Sequence, residues 1–216
     1  YEISLGLVGS EMCIRDSKKS VENNPKGRYH QNLGAYYATI RDYDKALEQY
    51  KLAFNAEKRD DKIYNLIGSV LLYRAEMKLG ISERFQKGIV LSEITLDKID
   101  EEERLNIQND IKQAYEWLNL AIKQVNPIIN AYYNYSKACI YDSLFLGGGP
   151  QKMNEADKYL NTVEIIWNMN HSEKPKGYLY TRRNYWEANK EYDKALEINQ
   201  VITVSYTHLT LPTICS

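Results

Sequence analysis

Residues 32–54 read NLGAYYATIRDYDKALEQYKLAF, and residues 64–76 read YNLIGSVLLYRAE. The second stretch restates the first. Gly34 and Gly68 stand 34 residues apart, each preceded by a large aliphatic residue, Leu33 or Ile67. Tyr37 then matches Leu71. Self-similarity at a fixed period of this length is produced by a helix–turn–helix unit that stacks on copies of itself. The chain is therefore expected to be all-α.

The residue types follow from packing. Two helices in a short hairpin approach to about 8–10 Å, so a small side chain is needed where the backbones come closest. Gly34 and Ala46 take those places, Ala53 lets the next unit dock, and Tyr37 and Tyr50 fill the wider gaps. Asp44 is placed to cap the second helix of the pair. This set, Leu33, Gly34, Tyr37, Ala46, Tyr50 and Ala53, resembles the tetratricopeptide repeat. Departures are His30 where an aromatic is usual and Lys58 where proline often closes the unit. The resemblance implies a right-handed superhelix of antiparallel helix hairpins, about four to five of them with irregular insertions, spanning 18–203 as a single domain. It also suits a bacterial protein, with a composition like that of Bacteroidetes-type chains.

Outward from this core the pattern loosens. After the first helix of the second unit, stopped by Gly80, a partner helix is expected over 82–96, capped by Ser82 and burying Phe85, Ile89 and Ile94. Acids at 100–103 open a long helix by favouring its positive dipole end, and Ala114, Leu118 and Ala121 in it look like the second helix of a repeat. Pro127 precedes another first helix, 128–145. Gly147-Gly148-Gly149-Pro150 reads as a wide turn, because the Gly-Lys-Ser/Thr ending of a phosphate-binding loop is missing. A further helix is expected over 154–168. Asp193-Lys-Ala-Leu-Glu197 repeats Asp44-Lys-Ala-Leu-Glu48 without change at an offset of 149. At that offset Leu33-Gly34 meets Arg182-Arg183, which predicts a looser or rotated pair.

The ends differ from this text. Residues 1–17 and 204–216 resemble translated sequencing adapters: Met12 to Asp16 can be encoded by ATGTGTATAAGAGAC, whose reverse complement GTCTCTTATACACAT encodes Val204 to His208. Both ends are expected to be non-native and are set aside. They hold Glu2, Glu11, Asp16 and Arg15, so the rest carries +1 against −1 for the whole chain. The remaining 18–203 is a fragment expected to belong to a longer protein. A near-neutral balance gives no basis for nucleic-acid binding, although the 19 tyrosines could otherwise stack on bases. No run is long and apolar enough for a membrane span. Of the 3 cysteines only Cys139 lies between the ends, so no disulfide and no oxidising compartment is implied. A cytoplasmic location is favoured, with the periplasm left open.

Catalytic, metal-ligating and cofactor-binding residues are not expected. His30 sits at a packing position, His171 in a polar loop, and Cys139 mid-helix between apolar neighbours. Neither their number nor their spacing makes a metal site. The glycosylation triplets Asn134-Tyr-Ser136 and Asn170-His-Ser172 read as chance. One arrangement points to binding. In this family the first helices line the concave side, and residues three, four and seven apart share a helix face. Arg28, Gln31, Ala35 and Ala38 lie one step around from the core stripe. Lys62, Asn65, Ser69 and Leu72 are their equivalents in the second unit, followed by Asn134, Ala138 and Tyr141. Such a surface would hold a peptide or protein segment by side-chain hydrogen bonds. The Lys/Asn clamp that chaperone-binding repeats place on a C-terminal carboxylate is not matched: Gln31 and Ala35 stand at those positions. The expected activity is non-enzymatic protein binding. The alternative is a sensor segment preceding a histidine kinase or DNA-binding output domain in a longer signalling protein. Oligomeric state is left open.

Overall fold

The computed structural model describes residues 27–56, 61–170 and 174–210. His171, Lys58, the tracts 1–26 and 211–216, and the side chains of Phe85, Asn170 and 204–210 lie outside that description. Every regular element among the described residues is helical. The helices are α1 (Gly27–Thr39), α2 (Tyr43–Ala56), α3 (Asp61–Lys78), α4 (Ile81–Gln86), α5 (Glu101–Ile122), α6 (Ile129–Phe145), α7 (Gly149–Asn170), α8 (Lys176–Ala188) and α9 (Tyr192–Thr210), with a 3-10 turn at Leu91–Glu93.

They pack in pairs: α1 with α2, α3 with α5, α6 with α7, α8 with α9. Each pair touches the next through α2 on α3, α5 on α6 and α7 on α8, while α3, α6 and α8 also meet in series. The small residues explain the pairing. A Cβ on Gly34 would fall 2.6 Å from the Tyr50 ring, and one on Gly68 would fall 2.5 Å from Leu118 Cγ. The helix expected over 82–96 therefore is not the partner of α3. That place belongs to α5, whose Ala114 and Leu118 are wholly buried and whose Ala121 is nearly so. Residues 79–100 instead form a strap carrying the six-residue α4 and the 3-10 turn, with Leu91, Ile94 and Leu96 buried in the common core. Gly68→Ala is expected to cost about 1–3 kcal/mol by overpacking, because Leu118 Cγ is a branch point inside the core and cannot swing away. A urea midpoint unchanged from wild type would contradict this contact.

The expected caps need two corrections: Ser82 lies inside α4, which begins at Ile81, and so does not cap it, and Asp44 is replaced by Asp42. Asp42, not Asp44, accepts the Lys45 backbone N–H at 3.3 Å to open α2. Asp44 reaches the Arg74 guanidinium of α3. The acids at 100–103 open α5 as expected, and Asp100 among them caps it by accepting the Glu103 N–H at 2.9 Å. The turn after α1 closes with the Asp42 N–H on the Tyr37 carbonyl and Arg41 at φ 62°. The turn after α8 is the same, with the Glu191 N–H on Trp186 and Lys190 at φ 61°. The offset of 149 thus reappears in backbone geometry. Arg182 turns to α7, with Nη1 2.6 Å from Asp157 Oδ1, and Arg183 Nη1 lies 3.3 Å from Asn199 Oδ1 of α9. Aromatic rings join successive pairs: Phe54, Tyr64 and Trp117 link α2, α3 and α5, and Tyr115, Tyr135 and Tyr159 link α5, α6 and α7.

Candidate functional site: the face of the first helices

The binding residues were expected on α1, α3 and α6. On α1, Arg28 and Ala35 are exposed and Gln31 and Ala38 half-buried. On α3, Lys62 is exposed. Asn65, Ser69 and Asn134 are buried, and the structure brings two of them together: Asn134 Nδ2 donates to Asn65 Oδ1 at 3.0 Å. Ser69 Oγ donates to the Leu66 carbonyl of its own helix. Leu72, Ala138 and Tyr141 belong to the core and present no surface, each at most 1% exposed. Five of the eleven expected positions, Arg28, Gln31, Ala35, Ala38 and Lys62, therefore reach solvent, all on the first two pairs.

The physical reason is twofold. The helical period lies between three and four residues, so continuing the stripe from Ser69 by three gives Leu72 and by four gives Tyr73. The structure takes Tyr73, which is 40% exposed, and then Glu76 and Met77. On α6, stepping three from Asn134 gives Lys137, which is itself buried behind Glu76. Second, the strap lies against α8, where Glu187 Oε2 accepts the Leu91 backbone N–H at 3.1 Å. Ser92 Oγ and the Tyr192 hydroxyl are 3.3 Å apart. The C-terminal part of the face is thus occupied by the chain itself.

Between α1–α2, α3 and the start of the strap a cleft of about 260 Å³ remains. Arg41, Tyr43, Tyr73, Glu76, Met77 and Glu83 line it, with Gly80, Ile81 and Ser82 closing one end. The Tyr43 and Tyr73 rings stack with centroids 6.2 Å apart. Behind Glu76, Lys137 Nζ and the Tyr141 hydroxyl both donate to its Oε1, at 2.9 and 2.6 Å. Burial works against the Lys137 charge, but Glu76 and Tyr73 outweigh it and hold the ammonium above its usual pKa. Burial pushes the Tyr141 phenol well above its ordinary value, and Glu76 adds to the shift. Tyr43 is raised by burial as well. Both hydroxyls therefore stay protonated donors through neutral pH. Burial also raises Glu187, against the pull of the Leu91 N–H and Arg183.

A second depression of about 610 Å³ lies on the other side of the strap, over Leu96, Leu105, Leu144 and Phe145. Cys139 is buried, and burial lifts its thiol far above the reactive range. His30 packs against α2, with Nδ1 2.9 Å from Gln49 Oε1. Among the described residues no group of three metal-ligating side chains converges, and no described helix is long and apolar enough to cross a membrane. Tyr73, Glu76 and Lys137 were missed because a single sequence fixes the spacing of a stripe but not which neighbour covers it. No family model matches this chain, and no curated protein sequence matches it.

Proposed function

We propose that this chain is a tetratricopeptide-like array wound as a right-handed superhelix, and that it binds a peptide or protein segment without catalysis. The binding surface is the open half of the first-helix face: Arg28, Gln31, Ala35 and Ala38 on α1, Lys62 on α3, and the cleft walled by Tyr43 and Tyr73. One observation carries this reading. The cleft is lined from α2, α3 and the start of the strap, and an exposed Tyr73 and Met77 stand in it beside charged groups. Aromatic and methionine side chains partly open to solvent at the centre of a polar surface are the composition of interaction hot spots.

The test is selection of displayed random peptides on the full chain, repeated with Tyr73→Ala and with Lys62→Ala. Selected peptides should lose about tenfold or more in affinity on Tyr73→Ala, the scale of a hot-spot truncation. Peptides that bind both variants as well as wild type would place the site elsewhere. No enrichment above a helical scaffold control would remove the binding reading.

A further inference from the structure

We propose that the cleft takes a lysine or arginine side chain of the bound segment, laid against the Tyr43 and Tyr73 rings with its charge at the carboxylates of Glu76 and Glu83. This rests on the peptide-binding reading above. The warrant is how the chain holds its own lysines. Lys45 lies 5.5 Å from the Tyr37 ring centre and pairs with Asp42 at 2.6 Å. Lys152 lies 3.7 Å from Tyr115 and pairs with Glu155 at 3.2 Å. Lys174 lies 5.9 Å from Tyr178 and pairs with Glu164 at 2.6 Å. Lys137 lies 5.2 Å from Tyr73 and pairs with Glu76 at 2.9 Å. In each case the ring quadrupole and a carboxylate share one ammonium.

The cleft adds a second ring and a second acid to the Tyr73 and Glu76 that hold Lys137. Tyr43 stacks beside Tyr73, and Glu83 is an exposed carboxylate in the lining. Both donors to Glu76 use Oε1, so Oε2 is the acceptor left for an incoming N–H. Size agrees. A volume of about 260 Å³ takes one long side chain, whereas a whole helix needs a groove about 10–12 Å wide. The Met77 thioether and Ile81 meet the aliphatic stem, as apolar surface commonly does for long charged side chains. Lys137 stands behind Glu76, and among the described lining residues Arg41 is the one cation. It opposes a second basic residue beside the anchor and favours an acidic one.

The experiment titrates the full chain, labelled at its methionine methyls, with N-acetyl-lysine methylamide and with N-acetyl-norleucine methylamide. The two probes share a stem and differ in the ammonium. The lysine probe should shift the Met77 methyl signal and saturate in the millimolar range, with the norleucine probe weaker by about fivefold or more. Glu83→Gln should weaken the lysine probe about threefold, and added salt should do the same. Glu83 is used because Glu76→Gln would also disturb Lys137 and Tyr141. Equal binding of the two probes overturns the proposal, and so does a Met77 signal that neither probe moves. Selected peptides that bind through Tyr73 but carry no basic residue would overturn it too, while leaving the interaction module standing.

Discussion

Asp110→Ala should cost about 3–5 kcal/mol of folding stability, the scale seen when one partner of a buried ion pair is removed. Asp110 sits on α5 with its side chain 2% exposed. Arg74 of α3 meets it with Nε at 3.0 Å and Nη2 at 2.5 Å, and Lys78 Nζ adds a third contact at 3.1 Å. Arg74 Nη1 also reaches Asp44, so one guanidinium ties α2, α3 and α5 together. Without the carboxylate, two cations that are about three-quarters buried lie side by side on one face of α3. Asp44→Ala is the internal contrast. Its carboxylate is 81% exposed, and its loss should cost under about 1 kcal/mol because water and salt already screen it. Urea midpoints decide the matter. A loss below about 1 kcal/mol for Asp110→Ala would show the cluster to be decorative. Replacing Arg74, Lys78 and Asp110 together by methionine, methionine and leucine should recover most of the loss, since no buried charge is then left unpaired and Asp44 stays in solvent.

The same region shows what the sequence could and could not announce. Gly34 against Tyr50 was readable, because both partners lie within one hairpin and their spacing is local. The last hairpin was readable for the same reason, down to a turn that puts Arg41 and Lys190 in one backbone conformation. Gly68 was readable as a close-packing position, but its partner was not. Residues 82–96 carry apolar groups at spacings a helix could use, and only competition decides that Leu118 of the much longer α5 takes the contact. Ile94 is buried as expected, though from the strap and not from a helix. The binding face suffered the parallel ambiguity. From Ser69 either Leu72 or Tyr73 continues the stripe, and the packing of α3 against α6 chooses. A pair such as Asn134 and Asn65, 69 residues apart in the chain, cannot be inferred from periodicity alone.

Leu91→Ala should cost about 2–5 kcal/mol, as for a buried leucine whose site cannot collapse, and should change how the molecule unfolds as well as how readily. In a stacked array each unit touches only its neighbours, and ends can fray independently. The strap breaks that rule here, because it leaves the second pair at α3 and contacts α8 of the fourth. Leu91 is wholly buried, and its backbone N–H ends on Glu187. Wild type is therefore expected to unfold in one urea transition, with α8 and α9 exchanging amide protons together with α3 and α5. In Leu91→Ala, α8 and α9 should exchange first. Glu187→Ala should do the same by removing the acceptor, whereas Glu187→Gln keeps an amide oxygen for the Leu91 N–H and should hold the strap. The pH dependence adds an independent check. Because burial raises the Glu187 pKa, the folded chain holds that proton more tightly than the unfolded chain does. Its contribution is then full below the ordinary glutamate range and is lost as pH rises through the raised value. Glu187→Gln should accordingly match or exceed wild-type stability at pH 7, and lose that standing as the pH is taken toward 4. Leu91→Ala lowering all helices equally, with α8 and α9 exchanging in step with the rest, would mean that the strap only fills space and that the fourth pair is held by α6 and α7 alone.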